Sequence, residues 1–127
     1  MNNDMQIIFS NYECREGSFV HSLSELNTFD EKYYWIFYNS VISLTKENLN
    51  APLNRDLTRA IVMTYSKVMT LLWCHLSTDD QFEINNYPSE KIHLFTERFE
   101  FMVDGYLGGF IMSESSFGDE IINPSTT

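Results

Sequence analysis

Basic residues are scarce in this chain. Eight Lys and Arg stand against eighteen Asp and Glu, a formal net charge of −10 on 127 residues. Such a surface repels phosphates and gains nothing from counterion release, which argues against nucleic acid as a direct ligand and equally against an anionic membrane. Cysteine is limited to Cys14 and Cys74, far apart in the chain. Two isolated cysteines make no disulfide framework and are expected as reduced thiols. The opening stretch, MNNDMQIIFSNYECRE, holds neither a basic leader nor an apolar run of signal-peptide length. No segment approaches the ~20 apolar residues of a membrane span. A cytoplasmic address is the expectation.

Apolar residues are not lacking. They make up 43% of the chain, and aromatics 15%, which an acidic disordered tail would not show. The length suits a single domain, and a chain of this size buries roughly 65–70% of its unfolded surface. The picture is a folded core under a negative coat. Net charge speaks to solubility and association rather than to fold. A basic protein is the natural counterpart, although solubility alone also explains acidity.

Helical spacing dominates the middle of the chain. Thr28-Phe29-Asp30-Glu31 has the pattern of a capping box, a hydroxyl followed three residues later by Glu. Tyr34, Phe37, Tyr38, Val41 and Leu44 then recur at steps of three and four, widened by Trp35 and Ile36, predicting a helix to about Lys46. A second helix is expected over 54–76. Leu57, Ala60, Ile61, Thr64, Val68, Leu71 and Leu72 form one stripe; Val62, Tyr65, Met69, Trp73 and Leu76 form another, as in a central helix. Pro88 suits a first helical position, and Ile92, Phe95, Phe99, Met102 and Tyr106 continue the rhythm until Gly105, Gly108 and Gly109 stop it. Gly17-Ser18 can open a short helix that points Phe19, Val20, Leu23 and Leu26 inward. Residues 1–16 are expected as an irregular or short extended start, and 111–127 as an irregular acidic tail pinned by Phe117, Ile121 and Ile122. The fold class is therefore mainly α: a single domain over 1–127, a compact bundle of about four helices. Its short connections suit antiparallel neighbours.

In the block Tyr33-Tyr34-Trp35-Ile36-Phe37-Tyr38 not every ring can face inward on one helix. Tyr33, with Trp35 or Tyr38, is expected at the surface or its edge, unless the N-terminal segment or the tail covers it. Chemistry is sparse. Cys14, His21, Cys74, His75 and His93 include no C-x-x-C or H-x-x-x-H pair, and adjacent Cys74 and His75 diverge by about 100° on a helix. His93 and Glu97 read as a surface pair. There is no nucleophile elbow, and the glycines after 104 do not form a phosphate loop. No metal, no cofactor and no catalytic residue is expected.

Glu16-Gly17-Ser18-Phe19-Val20 with Leu23, Phe29-Asp30 before Tyr34-Trp35, Phe95-Thr96-Glu97-Arg98-Phe99 with Gly105-Tyr106, and Ile122-Asn123-Pro124 follow one another in order. This order, over about residues 13 to 124, resembles bacterial immunity proteins of polymorphic-toxin and contact-dependent growth inhibition systems, closest to the forty-first numbered family among them. The resemblance implies a protein of the producer's cytoplasm. It would bind the C-terminal domain of a cognate toxin, cover or distort its active site, and perform no reaction of its own. Many such toxins are nucleases with basic grooves, where carboxylates can stand in for phosphates.

Candidate partner-binding carboxylates are those free of caps and local pairs. Asp79, Asp80 and Glu83 cluster after a long helix, and Glu114, Asp119 and Glu120 cluster in the tail. Glu97, Glu100 and Asp104 share one helix face, interrupted by Arg98. Two alternatives stand beside the immunity reading. One is an acidic adaptor or DNA mimic that binds other basic proteins. The other is a small enzyme using His21, His75 or His93 with a carboxylate.

Overall fold

Asn2 starts the first helix: its side-chain oxygen accepts from the Asp4 amide at 2.6 Å, and the chain turns into α1 (Asn3–Tyr12). The expectation of an irregular or extended start over 1–16 is thus corrected. Met5, Ile8 and Phe9 pack inward, with Ile8 fully buried. The computed structural model describes residues 2–77 and 82–125. After α1 come α2 (Phe19–Ser24), α3 (Glu31–Glu47), α4 (Arg55–Leu76), α5 (Ile92–Gly108) and one 3-10 turn at Glu114–Ser116. The described chain is mainly helical and carries no named strand.

Two helix starts differ from the sequence reading. Asp30, not Thr28, caps α3, accepting from the Lys32 amide at 3.1 Å. Thr28 is instead held in an isolated bridge to Asn85, flanked by Phe29 N–H to Asn85 O at 2.9 Å and Asn85 N–H to Asn27 O. Pro88 opens a turn closed by Lys91 N–H to Pro88 O, and α5 begins only at Ile92. Asn54 and Ser18 cap α4 and α2 through their side chains, as helix-start residues do.

The packing order differs from chain order. α1 lies against both α3 and α4, and α5 lies against both α3 and α4. The consecutive helices α3 and α4 therefore face each other across the core instead of pairing side by side as antiparallel neighbours. α5 runs parallel to α3, since Tyr34 meets Phe95, Phe37 meets Phe99, and Leu49 O lies against Gly109. It runs antiparallel to α4, where Thr58 and Tyr106 bond through their hydroxyls at 3.0 Å.

Tyr34 is the hub of the core. Its ring stacks on Phe99 (4.6 Å, 8° between planes) and meets Phe19, Trp35 and Phe95 edge-on. Its hydroxyl donates to the Phe95 carbonyl at 2.7 Å, satisfying the polar tip of a buried aromatic. Tyr34, Trp35, Phe37 and Tyr38 are all buried. A lone helix could not hide so many rings, but α1, α5 and the returning tail cover α3 from three sides.

The tail starts from a tight stop. Gly109 takes a left-handed conformation (φ +76°), and the Gly109 and Phe110 amides both donate to Gly105 O. A Cβ on Gly105 would lie 2.4 Å from Phe110 O. Gly105→Ala is therefore expected to cost about 1–3 kcal/mol despite its better helix propensity. Urea unfolding of the two proteins would check this, and an unchanged midpoint would refute it.

Candidate protein interface

α5 divides its charged residues between two environments. Glu97, Glu100 and Asp104 are exposed along its outer face, while Arg98 turns inward and is 2% exposed. Arg98 therefore does not interrupt the acidic face as its position in the sequence suggests. Its guanidinium lies 4.2 Å from the Phe117 ring centre and 5.4 Å from that of Trp35. Nη1 donates to Glu114 Oε1 at 2.5 Å. The Tyr38 hydroxyl donates to the other oxygen, Oε2, at 3.3 Å. Burial and then the Glu114 charge push the Tyr38 hydroxyl up to about 12. Tyr34 is raised well above the usual phenol range, by burial and then by Tyr38.

The six candidate carboxylates fare differently. Asp79 and Asp80 lie outside the described residues. Glu83 is exposed on the loop leading into α5. Glu114 is not available to a partner in the way the sequence suggests, because it is committed to Arg98 with its side chain 27% exposed. Asp119 and Glu120 are exposed at the head of α5, where Lys91 Nζ donates to the Glu120 carbonyl at 2.9 Å. Glu90 is exposed beside them. Since α3 and α5 are parallel, the exposed Glu31 belongs to this same end, its Oε2 accepting from Trp35 Nε1. Anionic groups at the start of a helix also suit the positive end of its dipole. The structure thus gathers Glu83, Asp119 and Glu120 at the end of the bundle where α3 and α5 begin, and withdraws Glu114 from the set.

The loop bearing Glu83 is anchored rather than free. His75, in the last turn of α4, accepts the Ile84 N–H through Nδ1 at 2.9 Å and stacks on Tyr87 at 4.0 Å. Ile84 is buried. His93 is exposed, and no histidine pairs with a carboxylate among the described residues. Among those residues no three His, Cys, Asp or Glu side chains come together as a metal site would require. Cys14 Sγ lies 3.2 Å from Ser24 Oγ, and both thiols are free. No helix of the described residues is long and apolar enough to cross a membrane.

One surface lies outside the sequence-derived candidates. Trp73 and Leu76, expected in the second buried stripe of α4, are 73% and 57% exposed. Their spacing on the helix fits a buried stripe equally well, and only the placement of α1 and α5 shows which side stays open. No family model, curated protein or solved structure matches the chain.

Breaking the Arg98–Glu114 pair is expected to act asymmetrically. Glu114→Ala strands a nearly fully buried cation and should cost about 3 kcal/mol. Arg98→Met keeps the volume and leaves a carboxylate that water can reach, so the loss should be smaller. Chemical denaturation that ranked them the other way would contradict this placement. Because the folded-state value of Tyr38 lies above its unfolded one, its contribution is intact below about pH 10 and falls away as pH rises toward about 12. Thermal melts across that window should show a shallower decline for Tyr38→Phe. His75→Asn, which keeps an acceptor where Nδ1 sits, should hold the 82–87 loop against hydrogen exchange better than His75→Ala.

Proposed function

We propose that the chain is an immunity protein that binds the C-terminal domain of a cognate toxin in the producer's cytoplasm. It neutralises that domain, a basic nuclease, by covering the active site with an acidic surface. The chain itself performs no reaction. The observation that carries this reading is the excess of exposed carboxylates at the end of the bundle where α3 and α5 begin, Glu31, Glu83, Glu90, Asp119 and Glu120 against the exposed Lys32 and Lys91. From Glu83 onward the chain has only Lys91 and Arg98 as Lys or Arg. Arg98 is buried on Glu114, and Lys91 is held on the Glu120 carbonyl. Glu83, Glu90, Asp119 and Glu120 are left exposed with no ion pair among the described residues. Asp79 and Asp80, just before Glu83 in sequence, belong to the proposed interface by that proximity alone. The ordered motif resemblance supplies the partner class, and the anchored loop supports the same reading, since a pre-set surface loses less freedom on binding.

A groove built for phosphates accepts carboxylates in the same role, and opposite charge raises the association rate and favours the right partner more than it sets total affinity. Co-expression with the reading frame immediately upstream should yield a co-purifying complex and protect cells from that frame's C-terminal domain. Recovery of this chain alone, with no protection, would overturn the reading. Within a complex, Asp119→Lys with Glu120→Lys should slow association about tenfold at low salt and flatten the salt dependence of the rate. Unchanged kinetics in stopped flow would place the interface elsewhere.

A further inference from the structure

The last turn of α4 carries a hydrogen-bond acceptor that a single proton abolishes. His75 is half-buried there, and its Nδ1 accepts the Ile84 N–H at 2.9 Å. A neutral imidazole has one bare nitrogen and one N–H, so this contact assigns the proton to Nε2. The Ile84 N–H has no other acceptor among the described residues. Its side chain is buried, so an amide deprived of Nδ1 is left unpaired unless the segment moves. The residues that follow are held differently. Asn85 N–H donates to Asn27 O at 2.6 Å, and Asn85 O accepts from Phe29 N–H at 2.9 Å. Tyr87 stacks on the imidazole at 4.0 Å with 21° between the planes.

We infer that His75 is a proton-sensitive latch: its neutral ring holds residues 82–84 on the end of α4, and its imidazolium releases them. Both nitrogens of an imidazolium are donors, so an Nδ1–H then faces the Ile84 N–H. Histidine takes up its proton between about pH 5 and 8, so the latch holds at the upper end of that window and is lost as pH falls through it. The release is local. The Asn85 bonds join backbone groups, which do not titrate, and an aromatic face also receives a cation, so the Tyr87 stack survives. On α4, Cys74 adjoins the ring, and the negative end of the helix dipole favours the cation. The loop brings Glu83 and the Tyr87 phenol, which burial pushes above its usual range and keeps neutral across the window. α2, packed on α4, carries His21; the connection to α3 carries Glu25 and Asp30; the approach to α5 carries Glu90 and Lys91. None of these carboxylates is in an ion pair with His75 among the described residues, so no salt bridge replaces the lost bond. Asp79 and Asp80 lie outside those residues. Glu83 rides on the released segment, so the placement of one exposed carboxylate at the acidic end follows the protonation of His75. The latch rests on the His75–Ile84 contact and is independent of the toxin-binding reading.

Amide hydrogen exchange of the full chain, followed by NMR from about pH 8 to about pH 5 and expressed as protection relative to intrinsic rates, tests this. Protection at Ile84 should fall about tenfold or more across that range, while Asn85, bonded to a backbone carbonyl, changes less than about threefold. His75→Asn keeps an acceptor without a titrating group, so its protection at Ile84 should stay level with pH. Circular dichroism checks that this variant keeps its helices. Long-range proton–nitrogen correlation on the unsubstituted chain at about pH 8 should show a bare Nδ1 and a protonated Nε2, and it decides the matter without any variant. Protection at Ile84 that ignores pH would overturn the inference, as would a proton found on Nδ1. So would the same fall in His75→Asn, or an equal fall at Ile84 and Asn85, the mark of a general loosening.

Discussion

The buried guanidinium of Arg98 is the constraint on which the outer layer of the molecule depends. A cation removed from water needs a counter-charge and polarisable neighbours. It finds Glu114 on one side and the rings of Trp35 and Phe117 on the others. All but Trp35 belong to the tail, so the cation draws 111–125 back across α3 and α5. That return explains why Trp35 and Tyr38 are buried on a helix too rich in rings to hide them alone. It also brings Ile121 inward and pairs Asn123 with Asn39 through two side-chain hydrogen bonds. One ionic contact thus organises a segment that has only a single turn of regular structure.

Much of this was legible from residue spacing, because helix starts and apolar periodicity are local. Ser18 and Asn54 open their helices where cap chemistry places them, and α4 ends at Leu76 as its pattern predicts. α1 was hidden because its stripe spans few turns and its cap, Asn2, resembles any polar N-terminal residue. Its link to α2 is also nonlocal: Asn11 accepts the Val20 N–H with its side-chain oxygen and donates to Ile7 O. Thr28 was misread as a cap because its pairing with Asn85 joins segments far apart in the chain. The same limit governed the candidate interface. Glu114 looks as free as Asp119 when read along the tail, and only the inward turn of Arg98 separates a structural carboxylate from an exposed one.

Charge is sorted as well as abundant. Cations and exposed aromatic surface collect on α4, while anions collect along α5 and at the shared start of α3 and α5. A −10 molecule with random placement would repel its like almost uniformly. This one presents a strongly anionic end and, on the outer strip of α4, a flank with cations and no carboxylate after Asp56.

The parallel arrangement of α3 and α5 carries one more consequence. Two macrodipoles aligned in the same direction sum their fields at the acidic end, where Asp30 already serves as a cap. Carboxylates there hold the scaffold together while they face solvent. Evolutionary drift toward a partner of different charge is thereby channelled: Glu31 and Asp30 are tied to helix integrity, whereas Asp119 and Glu120, carried on irregular backbone, are free to diversify without loosening the bundle.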